Sequence, residues 1–211
     1  MMPRQHVQLA KVGLLACTIP LLLFLASLDL VWMDLKNYDP IFLTNNFDYG
    51  SSVRTTQELI TYFTSPISQP LNFTSFSPKE ASHLHDVKMA FKLGGLVFGL
   101  LVLLWLFAFA HSPNMASKAV MWGGVLTLAI LALIALTPFD FTFTAFHGIL
   151  FKPGTWVFYP NELIVTIYPK RLFIHLAQMI AWRMAGLAVL LIPAGWLLGK
   201  VKSACRLYPA F

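Results

Sequence analysis

Two histidines and an aspartate lie close together in the segment EASHLHDVK, residues 80–88. If this segment is helical, His83 and Asp86 are three residues apart and share one face of the helix. His85 then points about 200° away from His83, so only one of the two can share a site with Asp86. A carboxylate beside an imidazole fixes its tautomer and stabilises its cation. His83 with Asp86 is therefore a candidate acid–base group, His85 is the alternative to His83, and a solvated helix turn would explain the same residues.

A further histidine, His147, lies among aromatic residues in FTAFHGILFKPGTW, residues 143–156. A neutral imidazole accepts a proton near neutral pH and an imidazolium donates one, so two histidines can serve as base and acid in one reaction. Two alternatives stay open for His83 and His147: hydrated residues at an interface, or ligands of a haem or metal ion. No third metal ligand is obvious, and no serine-hydrolase elbow, zinc-protease motif or P-loop occurs in the sequence.

The composition places these residues in a membrane protein. Of 211 residues, 57% are hydrophobic and only 11% are charged, whereas soluble domains contain about 25% charged residues. A transmembrane helix needs about 20 mostly apolar residues. Four runs meet this requirement, at residues 12–31, 90–110, 119–137 and 179–198. We therefore expect an all-α membrane protein, with residues 1–211 as one membrane domain built on a four-helix transmembrane bundle.

The distribution of charge predicts how the spans are oriented. The net charge is +6, and six of the 15 Lys and Arg residues lie in residues 1–28, 111–118 and 199–211, which contain no acidic residue. Short basic flanks stay on the cytoplasmic side of a bacterial membrane. Both termini are therefore expected in the cytoplasm, and this bias accounts for the basicity without a nucleic-acid partner. Residues 32–89 and 138–178 are then extracytoplasmic, and they place the histidines near the outer surface.

The two outer segments are expected to form a small cap that contains β-structure as well as helix. Residues 32–76 alternate between polar and apolar over short stretches, which favours short strands and loops, with one helix around TTQELITYF. Phe139, Phe141 and Phe143 alternate with polar residues, a period-two pattern typical of a half-buried strand or an interfacial strip.

A helix start is readable at the end of the first outer segment. Ser77 is a capping residue, Pro78 suits the first helical position, and Glu80 comes three residues after the cap. No helix breaker follows before the second apolar run. The helix of the second span is therefore expected to begin near Pro78, about three turns before the membrane, and to carry His83.

Three stretches resemble the family of lipoprotein intramolecular transacylases (Lit), which are four-span bacterial membrane proteins: TTQELITYFTSP, FSPKEASHLHDVK and FHGILFKPGTWVFYPNELIVTIYPKRLF. The resemblance covers nearly the whole chain, with the motifs in order. One motif, H-hydrophobic-x-D-V-K, is matched by His83, Leu84, Asp86, Val87 and Lys88. The other, F-H-x-x-x-F…W-x-F…Y-P, is matched by Phe146, His147, Phe151, Trp156, Phe158, Tyr168 and Pro169. His85 is an additional histidine within the first motif.

The resemblance implies an O-to-N acyl transfer within a bacterial lipoprotein. The sn-2 acyl chain of the diacylglyceryl-cysteine moves to the free α-amine, and an N-acyl, S-monoacylglyceryl (lyso) lipoprotein results. His83 and His147 are the expected acid–base pair, with Asp86 orienting His83; which histidine is the base, and whether an acyl-histidine forms, stay open. No metal or cofactor is expected, and a monomer is expected to suffice.

Three residues are candidates for binding the lipid substrate. Trp156 and Phe158 would line an acyl pocket, or anchor the cap at the headgroup level. Arg183 is a charge within the fourth apolar run, which makes it a functional candidate; it would meet a lipid headgroup or snorkel to the surface. The main alternative to an enzyme is a membrane protein whose cap binds a partner or senses the envelope, in which case single substitutions of the outer polar residues would be tolerated.

Overall fold

The computed structural model describes residues 4–45, 47–71 and 75–207. All regular elements in these residues are helical. In chain order they are α1 (Arg4–Ala16), α2 (Thr18–Trp32), a 3₁₀ turn (Leu35–Asn37), α3 (Asp39–Phe42), α4 (Tyr49–Thr64), α5 (Pro78–His111), α6 (Pro113–Ala135), α7 (Phe139–Leu150), α8 (Leu163–Ile167) and α9 (Lys170–Leu207). The all-α prediction is confirmed, whereas the β-containing cap is wrong, because the described residues contain no strand.

The strand predicted at Phe139–Phe143 is the first turn of helix α7. Two of the three phenylalanines are four residues apart, and this spacing brings the rings of Phe139 and Phe143 to 5.6 Å on one helix face. Phe143 in turn lies 3.9 Å from the ring of His147, another four residues on. The two ends of the five-residue alternation, Phe139 and Phe143, are therefore also neighbours on one face of a helix. The next pair at the same spacing, Phe143 with His147, favours the helix over the strand.

Four helical segments in the described part of the chain are long and apolar enough to cross a membrane. They are His6–Trp32, Pro78–His111, Pro113–Ala135 and Lys170–Lys200, and each contains or largely overlaps one predicted span. The first is interrupted at Cys17, between α1 and α2. Pro20 lacks the backbone N–H that would donate to the carbonyl of Ala16, which explains an interruption at this point.

The chain divides into two compact units. Unit 1 comprises residues 1–27, 97–136 and 180–211, and unit 2 comprises residues 28–96 and 137–179. Unit 2 includes both segments that the sequence assigns to the cap, and it holds His83 and His147. The location of these segments outside the membrane, and the single membrane domain, stay predictions.

In unit 1, helix α6 packs closely against its neighbours at a pair of glycines. A Cβ at Gly124 would lie 2.8 Å from the carbonyl oxygen of Ala188 on α9, and one at Gly123 would collide with Ile19 on α2. Such small residues allow apolar helices to approach each other in a membrane. The indole N–H of Trp105 on α5 donates to Thr18 Oγ1 at 3.0 Å, which adds a polar link to this packing.

In unit 2, aromatic side chains form most of the core. Trp32 stacks on Phe91 at 4.1 Å and meets Phe63 edge-on at 5.6 Å. The helix predicted around TTQELITYF is present as α4, whose apolar face packs into this cluster through Leu59, Tyr62 and Phe63. This packing fixes α4 against the part of α5 that follows the histidines.

Candidate active site

His83 is placed by the first turn of α5. Ser77 and Glu80 form the predicted capping box: the Glu80 carboxylate accepts from Ser77 N–H at 2.7 Å, and Ser77 Oγ accepts from Glu80 N–H at 3.3 Å. The predicted start at Pro78 is therefore confirmed. His83 follows in the second turn, where its side chain is buried with 7% of its surface exposed. Its Nδ1 is buried and makes no hydrogen bond within the described chain.

His147 lies in the last turn of α7, half-buried. Its Nδ1 is 2.9 Å from the carbonyl oxygen of Phe143. Because a carbonyl oxygen only accepts, Nδ1 must be the protonated nitrogen, which leaves Nε2 as the atom with the free lone pair in the neutral ring. Burial lowers the pKa of His147 below its usual value, and the hydrogen bond to Phe143 offsets part of that effect. The ring is therefore neutral at neutral pH, with Nε2 ready to accept a proton.

Helix α7 is anchored to the start of α9. Asp140 pairs with Lys170 at 2.6 Å, and Phe143 meets Phe173 edge-on at 5.5 Å. The ion pair is exposed and adds little free energy. The aromatic contact involves the same Phe143 whose carbonyl holds the His147 ring, so it supports the orientation of that histidine.

The two histidines face each other across an aromatic enclosure. The ring centroids of His83 and His147 are 6.4 Å apart, with 26° between the ring planes. Phe151 lies 5.0 Å from the His83 ring and 5.5 Å from the His147 ring, and Phe158 lies 5.4 Å from His83. The arrangement suits a proton accepted on one side of a small group and donated on the other.

The candidate residues around His83 occupy different places. Asp86 is half-buried and interacts with His83 through its charge, without a hydrogen bond to the ring. His85 is exposed on another face of α5, where its Nδ1 is 3.3 Å from the hydroxyl of Tyr62. The structure therefore brings His83, and not His85, to His147. Lys88, from the same motif, is fully buried and donates to Ser65 Oγ and to the carbonyls of Pro66 and Gln69, so it holds the loop after α4.

The candidate binding residues divide between the two units. Trp156 lies 4.9 Å from the His147 ring, and Phe158 borders His83, so both belong to the enclosure. Arg183 is exposed on α9 and belongs to unit 1, so its role stays a prediction. Within the described side chains, no three His, Cys, Asp or Glu residues are grouped as a metal site.

A buried carboxylate that the sequence did not single out for the site joins the start of α5 to α8. Besides capping α5, Glu80 accepts a hydrogen bond at 2.7 Å from the backbone N–H of Ile164, and its side chain is 2% exposed. Its neighbour Lys79 donates to the carbonyl of Val157 and lies 4.8 Å from the Phe158 ring centre. The capping motif was readable, but the contact 84 residues along the chain was not.

We expect Glu80→Ala to destabilise the protein by about 3 kcal/mol, because two hydrogen bonds to a charged group are lost and two backbone N–H groups are left without their partner. Thermal unfolding in detergent should show a midpoint lower by roughly 5–10 °C. Glu58→Ala, an exposed glutamate on α4, is the matched control and should change the midpoint by less than about 2 °C. Equal midpoints for the two variants would contradict the role assigned to Glu80.

The comparison with protein families identifies one family. The sequence matches the model of the family described as lipoprotein intramolecular transacylase Lit over residues 9–173. The crystal structure of the membrane-integral Lit from Bacillus cereus is 21% identical, with a TM-score of 0.79 over 95% of this chain and 100% of that one. A variant of that protein with one histidine replaced by alanine has a TM-score of 0.76, with 95% and 97% covered. At this identity the structural likeness shows the fold.

One curated relative is matched over a shorter stretch. It is a protein of Aquifex aeolicus described as uncharacterized, 24% identical over 100 residues, which is 46% of this chain and 45% of the relative. The match thus spans less than half of the relative's length, and the family rests on the match over residues 9–173.

Proposed function

This chain belongs to the family of lipoprotein intramolecular transacylases, Lit, and we propose from that membership that it moves the sn-2 acyl chain of a diacylglyceryl-cysteine lipoprotein to the N-terminal α-amine. The product is the lyso-form lipoprotein. The observation that supports a histidine mechanism is the pair of facing rings, His83 and His147, 6.4 Å apart. The reaction exchanges an ester for an amide and therefore needs no external source of energy.

In this proposal His147 is the general base. The α-amine has a reference pKa of about 8, so it is mostly protonated at neutral pH and must lose a proton to attack the ester. The Nε2 atom of His147 is the available acceptor, because Nδ1 donates to Phe143. In this proposal the attacking nitrogen lies between the two rings, within reach of Nε2 of His147.

His83 is the proposed general acid. The glycerol oxygen leaves as an alkoxide and needs a proton, which a histidine on the opposite side of the reacting carbon can supply. Asp86 lies three residues after His83 on the same face of α5 and is proposed to orient the ring. The ammonium group loses two protons in becoming an amide: one is released to water, and one is taken by His147. His83 gives one proton to the glycerol oxygen, and the proton on His147 then passes to His83, directly or through water, so that the pair returns to its starting state.

The aromatic enclosure would bind and orient the lipid. Trp156 and Phe158 provide apolar surface beside the rings for the acyl chain, and Arg183 would contact a headgroup. Amine and ester belong to one molecule, so holding them in register supplies a large part of the acceleration. We propose that the enzyme acts as a monomer.

The site is proposed to lie on the extracytoplasmic side of the bacterial cell membrane, with both termini in the cytoplasm. The support is the absence of acidic residues from the basic segments 1–28, 111–118 and 199–211. The lipoprotein substrate is exposed on that side. Labelling of single cysteines introduced at exposed positions such as Lys152 and Lys118 with a membrane-impermeant maleimide tests the orientation: we expect position 152 to react in intact cells and position 118 to react only after lysis.

The rising side of the pH profile of transfer should show two ionisations. His147 must be neutral to act as a base, and its pKa lies below the usual 6.5; activity is therefore lost only as the pH falls through a value below 6.5. The substrate amine adds a second rise toward about pH 8. Initial rates at limiting substrate between pH 5 and 9 check this prediction. An inflection of the free enzyme above 6.5 that a non-ionisable residue at position 147 abolishes would contradict it.

Expression in a host that lacks N-acylating activity tests the function directly. The N-terminal tryptic peptide of a host lipoprotein is analysed by mass spectrometry beside the same host without this chain. We expect an unchanged total mass with one acyl chain moved from the glycerol to the amine in the fragment spectrum. An unmodified diacylglyceryl peptide, also for a lipoprotein of the chain's own species, would contradict the enzyme and favour a partner-binding cap.

A further inference from the structure

Two polar atoms in the aromatic enclosure are buried without a hydrogen-bond partner in the described chain. One is Nδ1 of His83, and the other is the indole nitrogen, Nε1, of Trp156. Burying an unpaired donor is unfavourable, so such an atom in a native protein requires an explanation. The indole N–H only donates. The atom that satisfies it is therefore an acceptor outside the described chain, such as a water molecule or an oxygen of the substrate.

The local backbone directs Trp156 back toward His147. Helix α7 ends where Phe151 N–H donates to the carbonyl of His147 at 2.8 Å. A turn follows, closed by Thr155 N–H and Oγ1 on the carbonyl of Lys152 at 3.2 and 2.9 Å. Gly154 has a φ of +83° in this turn, a conformation that residues other than glycine adopt at a cost. The turn reverses the chain, and the Trp156 ring lies 4.9 Å from the His147 ring.

Packing alone does not account for a tryptophan at this position. The Trp156 ring contacts His147 and lies edge-on to Phe143 at 6.3 Å, and a phenylalanine ring would also fit an aromatic wall without burying an N–H. The neighbouring aromatic residues of the wall, Phe151 and Phe158, carry no polar atom. Among these described aromatic residues, Trp156 alone carries an indole donor, and it lies beside His147.

We propose that the indole N–H of Trp156 donates a hydrogen bond to the carbonyl oxygen of the sn-2 ester and stabilises the oxyanion that forms there. This inference rests on the proposed function. When the amine nitrogen bonds to the ester carbon, the π electron pair of the carbonyl moves to its oxygen; when the bond to the glycerol oxygen breaks, that pair reforms the double bond. The Trp156 proton is shared throughout and is not transferred.

A donor aimed at the developing charge acts mainly in the transition state. Removal of one such donor lowers kcat by about 10²–10³-fold in enzymes where it has been measured. A loss that falls on kcat and leaves KM nearly unchanged is the signature of an interaction made in the transition state. A tryptophan that only anchors the cap or lines the acyl pocket would change KM or stability instead.

The test is Trp156→Phe in purified, detergent-solubilised full-length chain, with a synthetic diacylglyceryl lipopeptide as substrate. We expect kcat to fall by at least tenfold, with KM within about threefold and the thermal midpoint within about 2 °C of the unmodified chain. The matched control is Trp182→Phe, which removes an indole that is 78% exposed and should leave kcat unchanged. Retention of kcat within twofold by Trp156→Phe would overturn this inference while the proposed function stands. No transfer by the unmodified chain would overturn both.

A binding measurement tests the donor role of Trp156 even if the Trp156→Phe variant folds poorly or changes KM. The probe is a lipopeptide analogue in which an anionic, tetrahedral phosphonate replaces the sn-2 ester. We expect Trp156→Phe to weaken binding of the phosphonate by at least tenfold and binding of the unreactive ether analogue by less than threefold. Equal effects on the two probes would assign Trp156 to packing and overturn the donor role.

Discussion

Replacing His147 by asparagine should reduce transacylation by about 10²–10⁴-fold, the contribution of a general base. Asparagine retains a side-chain N–H for the carbonyl of Phe143, which now accepts from Nδ1 at 2.9 Å, and it removes the Nε2 atom that would take the amine proton. The loss should therefore come from chemistry, with the fold of α7 preserved. The measurement is the initial rate of lipopeptide conversion by purified protein.

The control for this variant is His175→Asn, the same change at a half-buried histidine of α9 in the same unit. It should retain the rate within about twofold, because none of the described hydrogen bonds or ring contacts joins His175 to His83 or His147. Full activity of His147→Asn with a normal thermal midpoint would contradict the role of His147 as the general base. It would leave His83 as the remaining histidine among the described residues of the aromatic enclosure.

The second large effect is expected at His83 and distinguishes it from His85. His83→Phe keeps an aromatic ring between Phe151 and Phe158 and removes both nitrogens, so we expect at least a 100-fold loss of rate for a missing acid. His85→Phe makes the same change two positions away. It removes only the contact with the Tyr62 hydroxyl at 3.3 Å and should retain the rate within about threefold.

The double variant of His83 and His147 tests whether the two histidines act together. Residues that act as one unit show non-additive losses, so the double variant should be little slower than the slower single variant. Multiplicative losses would indicate two independent contributions. Loss of activity in His85→Phe with retention in His83→Phe would reverse the assignment that the 6.4 Å ring separation supports.

The residues that local sequence patterns determine were predicted well. The capping box at Ser77 and Glu80 involves neighbours in the sequence, and it correctly predicted where α5 begins. The apolar runs predicted four long helices, because the length of a membrane span limits the alternatives. The family resemblance rested on two motifs in order, and the family match over residues 9–173 confirms it.

The incorrect strand predictions came from short sequence patterns that fit both a strand and a helix. Five alternating residues at Phe139–Phe143 fit both a strand and a helix with i, i+4 ring pairs, and only the contact of Phe143 with His147 decides between them. The polar-apolar stretches of residues 32–76 likewise form α3 and α4. A short segment adopts the secondary structure that its contacts with distant residues stabilise, and the local sequence does not identify those residues.

Contacts between distant residues were also beyond the sequence. The hydrogen bond from Ile164 N–H to Glu80 spans 84 residues. The N–H of Trp156 is buried and unpaired because of the residues around it, and the residue type alone does not predict this. Sequence patterns identified His83 as the better partner for Asp86, but its proximity to His147 required the fold of unit 2.

The central claim is that this chain transfers an acyl group within one lipoprotein molecule. The most direct measurement mixes two synthetic diacylglyceryl lipopeptides of different peptide sequence, one with a ¹³C-labelled sn-2 chain, with the purified chain, and identifies the N-acyl products by mass spectrometry. We expect the labelled acyl chain to stay on the peptide that carried it and to move from the glycerol to the amine. Label on the second peptide, or no N-acylation of either, would contradict it.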